Sequence, residues 1–250
     1  AGRRLSSGSS WRGWPARAHR TSQGPARREA ALRTMGEYQV TMLTEDGEGE
    51  KSNFIPGAGR VRIVYANGDT FTGEVNEERR KCGQGVYEFA KINEDGEADG
   101  VAATYTGDFD DSGARTGQGT LVLHDQGEQY RGQFKDGFRH GQGSYTYANK
   151  DIYSGEWNSG QRHGQGIYVF ADSRCVLTGV WEGGVPVEGK LRHPDGTVYE
   201  GNFREGRYDG MCSFKFGSGL AIDGEFFSLG VGPDAAERVR WKSTSAPRAC

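Results

Sequence analysis

Two histidines, His140 and His163, are the residues whose type and spacing first suggest chemistry, because imidazoles recurring at a fixed interval can ligate a metal. Both stand in the same phrase, His-Gly-Gln-Gly, and neither has a carboxylate or thiolate cluster beside it in sequence. A polar role where a turn enters a strand is the reading they support. The cysteines Cys82, Cys175, Cys212 and Cys250 lie too far apart for a CxxC metal site, and reduced thiols in a cytosolic compartment are expected. Gly117-Gln118-Gly119 and the two His-Gly-Gln-Gly phrases look faintly like nucleotide-binding loops. No helical pattern follows them, so no amide dipole would face a phosphate. Neither GxSxG nor HExxH occurs, and the acidic residues are scattered through turns as on a solvated face. No catalytic residue, metal or cofactor is expected.

The phrase that holds those histidines belongs to a larger unit. Residues 130–170 write one pattern twice at a step of 23 residues: Tyr130, Gly132 and Phe134 on alternate positions, then Tyr153, Gly155 and Trp157. Period two predicts strands. A polar turn follows, from Lys135 to Arg139 and from Asn158 to Arg162, and His-Gly-Gln-Gly then opens a second alternating run through Tyr145 and Tyr147 or Tyr168 and Phe170. Each unit is a β-hairpin with a short connection.

Slid along the chain, the first position of the pattern is held by Phe71, Tyr105, Tyr130, Tyr153, Leu177, Tyr199 and Ile222, at steps of 34, 25, 23, 24, 22 and 23. Two places on stand Gly73, Gly107, Gly132, Gly155, Gly179, Gly201 and Gly224, and two further on Val75, Phe109, Phe134, Trp157, Trp181, Phe203 and Phe226. The long first step contains residues 91–103, an acidic stretch without aromatics that reads as a loop insertion on one face. Residues 36–68 read as a degenerate first repeat, with Gly57 and Gly59 in the place of the Gly-x-Gly phrase.

The domain limits follow. Residues 36–227 form the array of about seven or eight hairpins. Residues 228–250 read as an irregular tail, too short for a catalytic domain. Residues 1–35 form an Arg-rich disordered leader: the first 34 positions hold eight Arg and one Glu, a net charge of +7. It has the composition of an organelle transit peptide. The favoured alternative takes Met35 as the initiator and what precedes it as upstream sequence or a flexible tail. Without the leader the net charge moves from −3 to −10, which makes the array a poor partner for nucleic acid or anionic lipid. No run of 18 apolar residues exists to make a membrane-spanning helix.

Glycine makes up 41 of 250 residues, far above the usual level of about 7%. Glycine without side chains leaves flat backbone onto which the ring of an adjoining repeat can lie, and each buried ring removes about 150–250 Å² from water. Gly107, Gly132, Gly141, Gly143, Gly155, Gly164, Gly166, Gly179 and Gly201 are therefore expected to be structural. The rings not consumed by such packing are the expected protein-contact surface: Tyr130, Phe134, Tyr153, Trp157, Trp181, Tyr199 and Phe203. The fold expected is all-β, an elongated single-layer antiparallel meander of stacked hairpins.

The phrase Tyr-x-Gly-x-Trp/Phe, a glycine-bearing turn, His-Gly-x-Gly and an aromatic-rich strand resembles the MORN repeat over about residues 55–227. The order of intact and eroded repeats is similar to that of the family's members in the ciliary radial spoke head: NKDIYSGEWNSGQRHGQGIYVFA, then VPVEGKLRHPDG without its Gly-x-Gly, then YEGNF, and WKST after a short tail. That resemblance implies a non-enzymatic axonemal scaffold that contacts other radial spoke head subunits and supports ciliary or flagellar motility, with neither nucleic acid nor membrane as partner. Exposed end repeats make a homodimer possible. Other MORN proteins touch membranes and phosphoinositides, so a lipid-linked adaptor at the cell cortex is the competing expectation.

Overall fold

A computed structural model describes residues 38–44, 47–228 and 239–249, and among them all regular structure is strand. The 1–35 leader lies outside the described residues. β1 (Tyr38–Thr44) pairs on one side with β2 (Gly47–Ser52) and on the other with β3 (Gly59–Tyr65). From β3 the chain runs as consecutive hairpins through β4 (Thr70–Val75), β5 (Lys81–Ile92), β6 (Ala98–Phe109), β7 (Arg115–Leu123) and β8 (Glu128–Lys135). It continues through β9 (Phe138–Thr146), β10 (Ile152–Asn158), β11 (Gln161–Val169), β12 (Val176–Glu182) and β13 (Val185–Arg192) to β14 (Val198–Arg204), β15 (Arg207–Lys215) and β16 (Leu220–Ser228). Every pairing is antiparallel, and the strands form one open sheet, as the period-two pattern predicts.

Two kinds of turn fix the register. The turns after β8, β10, β12 and β14 have two central residues, Asp136-Gly137, Ser159-Gly160, Gly183-Gly184 and Glu205-Gly206, all at positive φ. That is the primed turn whose twist matches the strands it joins, and glycine at its second position carries the positive φ without a Cβ clash. At the opposite rim the loops are anchored by a carboxylate two positions before the first ring. Asp151 accepts the Tyr168 hydroxyl at 2.7 Å and the Ala171 amide at 2.7 Å. Asp69 does the same for Tyr87 at 3.0 Å and Ala90 at 2.8 Å, and Glu128 takes the Tyr145 hydroxyl at 2.5 Å.

Three segments differ from their sequence reading. Residues 91–103 are no loose loop: β5 and β6 lengthen to 12 residues each and stay paired to Ile92↔Ala98. The Asn93 side chain closes the tip by accepting the Glu97 amide at 2.8 Å. In the first repeat, Val61 and not Gly59 pairs with Gly73, and Gly59 is covered by Met42 of β1. The segment read as an irregular tail adds two short strands, β17 (Val239–Ser243) and β18 (Arg248–Ala249), both paired with β16. Trp241 of β17 lies over Gly224, and Arg248 pairs with Asp223, so the last repeat obtains its covering ring from beyond the array.

Candidate functional site

One row of backbone organises the sheet. From β4 to β14 every strand places a glycine in register with the next: Gly73, Gly85, Gly107, Gly119, Gly132, Gly143, Gly155, Gly166, Gly179, Gly189 and Gly201. Cys212 interrupts the row and Gly224 resumes it. The close approach explains the residue type. A Cβ at Gly119 would lie 2.6 Å from the Tyr105 ring, and one at Gly155 would lie 2.5 Å from the Gln165 carbonyl and from the Gly166 Cα.

The rings on this row belong to the same hairpin and not, as the sequence suggested, to the adjoining one. The reason is a β-bulge. The register shifts just after the row glycine, between Gly107 and Asp108, Gly132 and Phe134, Gly155 and Glu156, and Gly201 and Asn202. Gly117, Gly141 and Gly164, each the first glycine of a Gly-x-Gly phrase, and Gly210, which opens Gly-Met-Cys, supply the left-handed residue at φ 54–61° that the bulge needs. A bulge leaves carbonyls outside the ladder, and the tyrosine hydroxyl comes to them. Tyr105 donates to Asp108 O at 2.9 Å, Tyr130 to Gln133 O at 2.8 Å, Tyr153 to Glu156 O at 2.9 Å and Tyr199 to Asn202 O at 2.6 Å. Each hydroxyl thus pulls its ring flat along its own strand, across the glycine pair. The same residue's side chain closes the bulge from the other face: Gln133 accepts the Gln142 amide at 2.8 Å and Glu156 the Gln165 amide at 2.9 Å.

The second aromatic of each unit links neighbouring repeats. Phe71, Phe109, Tyr105, Phe134, Tyr130, Trp157, Tyr153 and Trp181 form a zigzag of edge-to-face contacts, with centroids 5.0–5.3 Å apart and planes at 74–90°. This is the geometry that ring quadrupoles favour, worth about 0.5–1.5 kcal/mol per pair beyond burial. Trp157 adds an indole hydrogen bond to Gly143 O of the preceding repeat at 3.1 Å. The zigzag stops at the eroded repeat, where Leu177 and Leu191 replace rings, and a second cluster begins at Tyr199 and Phe203.

The seven aromatics read as a contact surface are placed in the core. Tyr130, Tyr153, Trp181 and Tyr199 are 0% exposed, Phe134 and Trp157 4%, and Phe203 8%. Internal packing consumes them all. Burial pushes the Tyr130, Tyr153, Tyr168 and Tyr199 phenols well above their ordinary range. Of the structural glycines, Gly107, Gly132, Gly143, Gly155, Gly166, Gly179 and Gly201 lie in the row, whereas Gly141 and Gly164 are bulge residues with a different task.

Sequence reasoning missed the cations of this face. Arg139, read as the end of a polar turn, stacks over Tyr145 at 5.0 Å and Trp157 at 4.7 Å and donates to Gly160 O at 2.9 Å. Arg162 lies 4.6 Å over Trp181 and donates through Nε to Gly184 O at 3.0 Å, and Arg115 donates to Gly137 O at 2.9 Å. Each guanidinium covers rings and ties its hairpin to the turn of the next. The signal was present: Lys81, Arg115, Arg139 and Arg162 recur at the repeat spacing.

His140 and His163 sit within the bulges, and His163 contributes its carbonyl to Tyr153 Oη at 3.3 Å. Among the described residues no three His, Cys, Asp or Glu side chains are grouped to hold a metal, and no helix is long and apolar enough to cross a membrane. The thiols of Cys82, Cys175 and Cys212 are free, with Cys175 Sγ 3.4 Å from His193 Nδ1.

With the rings on one side, the residues between them form the other face of the sheet. On β9 to β12 that face holds Ser144, Thr146, Ile152, Ser154, Ile167, Val169, Val176 and Thr178, with Ile152 39% and Ile167 44% exposed. This is the broad surface left to solvent where the intact repeats lie, and it is the candidate site.

No curated protein matches the chain. The MORN repeat family model matches residues 80–91, 130–152, 153–173 and 199–221, which correspond closely to β5, to the hairpins β8–β9 and β10–β11, and to β14–β15. Over those four segments the chain is similar to the MORN repeat, a repeat-type module of protein interaction or membrane association.

Proposed function

We propose that this chain is a non-enzymatic scaffold of the axonemal radial spoke head, supporting ciliary or flagellar motility through contacts with other spoke-head subunits. The observation that carries the scaffold reading is the division of labour between the two faces: one is consumed by rings, glycines and arginines, and the other is an extended array surface. A long sheet stabilised repeat by repeat offers partners area and not a cleft. The spoke-head assignment rests on the succession of intact and eroded repeats, with Leu177, Val185 and Pro186 marking the eroded unit before the Tyr199 repeat. The competing cortical lipid adaptor has the acidity of the array against it.

Fractionation separates the two. Cilia of the source organism, stripped of membrane by detergent, should retain the protein with the axoneme, co-sedimenting with spoke-head subunits. Release into the detergent phase would move the assignment to the lipid adaptor.

A further inference from the structure

The outer face of β9 to β12 carries a patch with a definite chemical outline. In one row across the strands Thr146, Ile152, Val169 and Val176 are in register, and in the next Ser144, Ser154, Ile167 and Thr178. No charged residue enters either row within these four strands. The rows meet charge on both sides: Arg131 of β8 is in register with Ser144, while Lys190 and Arg192 of β13 are in register with Thr178 and Val176. Lys190 shares Glu200 with Lys215, at 3.0 and 3.2 Å, so that border keeps a positive excess. Glu188 stands two positions further along β13, beyond the two rows.

We infer that this patch docks an amphipathic helix of a partner protein, apolar along one side and acidic at both ends. The inference rests on the scaffold reading and names the partner chemistry of that site. The patch is a sheet face and not an edge, so it presents no unpaired backbone groups. An extended segment laid on it would leave its own amides unsatisfied, whereas a helix satisfies them internally. Strands about 4.8 Å apart place Arg131 about 24 Å from the Lys190 and Arg192 border, and about 16 helical residues span that distance. The apolar side would cover Ile152 and Ile167, and carboxylates in the first and last turns would meet the cations. A second copy fits badly, because two such faces brought together set like charges opposite one another. An anionic membrane would meet the same cations, but the net charge of −10 over the chain beyond the leader opposes approach to it.

The test is a selection of random 16-residue peptides displayed on phage, run in parallel against the full chain and its Ile152→Lys/Ile167→Lys variant. Peptides enriched on the parent should carry apolar residues at helical spacing with acidic residues near both ends. Their synthetic forms should bind at least tenfold more weakly to the double variant and to Lys190→Glu/Arg192→Glu, with unchanged melting temperatures. No enrichment, equal enrichment on the variant, or basic ends overturns the inference. So does Ile152- and Ile167-dependent binding to phosphatidylserine vesicles, or dimerisation through the same residues, in place of peptide binding. A failed selection beside axonemal retention removes this patch and leaves the scaffold, and a successful selection beside loss from the axoneme does the reverse.

Discussion

A side chain at Gly155 has nowhere to go. Its Cβ would meet the Gln165 carbonyl and the Gly166 Cα at 2.5 Å and the Tyr153 hydroxyl at 2.9 Å, so strands and ring must all shift. Gly155→Val should cost about 2–4 kcal/mol in urea unfolding, the range of severe overpacking. Lys135 points to solvent beside a turn, and Lys135→Ala should stay within about 0.5 kcal/mol. Equal losses in the two variants would contradict packing through the glycine row. The alternation of aromatic and glycine made this much legible in the sequence. It did not reveal which ring covers which glycine, because that depends on the tyrosine hydroxyl reaching a carbonyl freed by a bulge, and a bulge breaks the period on which the reading relied.

Each hairpin is held by devices that the period-two pattern hides. Gly141 at φ 57° is required by the bulge, so Gly141→Ala should cost about 1–2 kcal/mol from the left-handed backbone alone, read from the urea midpoint. Arg139 connects its hairpin to the next turn through Gly160 O and covers Tyr145 and Trp157. Arg139→Met, which keeps much of the apolar stem, should still cost about 1–3 kcal/mol and raise amide exchange at Gly160, whose N–H bonds to Arg139 O. An arginine next to a turn carries no mark of burial in sequence, since charge there ordinarily signals solvent; its recurrence at the repeat interval is the available clue. The strands at 91–103 and at 239–249 escape the period-two pattern for a related reason. Neither carries the aromatic-glycine alternation, yet the first continues strands already paired, and the second is drawn in by the uncovered Gly224 and by Asp223.

Across the array, stability is a sum over neighbours, with the ring zigzag as its continuous thread from Phe71 to Trp181. Tyr130, Tyr153, Tyr168, Tyr199 and Tyr208 all have phenols raised by burial, so the folded chain holds their protons where the unfolded chain releases them. Stability is then fully present below the unfolded phenol value near pH 10 and falls as pH rises above it. Melting temperature measured from pH 8 to 12 should be flat and then drop steeply. Absorbance from these five phenols should rise together with loss of strand signal and not before it.

The division between a buried ring face and an exposed docking face is tested most directly by hydroxyl-radical footprinting of the isolated full chain, read by mass spectrometry. Tyr130, Tyr153, Trp157 and Trp181 are among the side chains most reactive towards hydroxyl radical by chemistry, yet they should be strongly protected, while Ile152, Ile167 and Met211 are modified. Free modification of those four rings, with protection at Ile152 and Ile167, would reverse the two faces and contradict the docking surface proposed for β9 to β12.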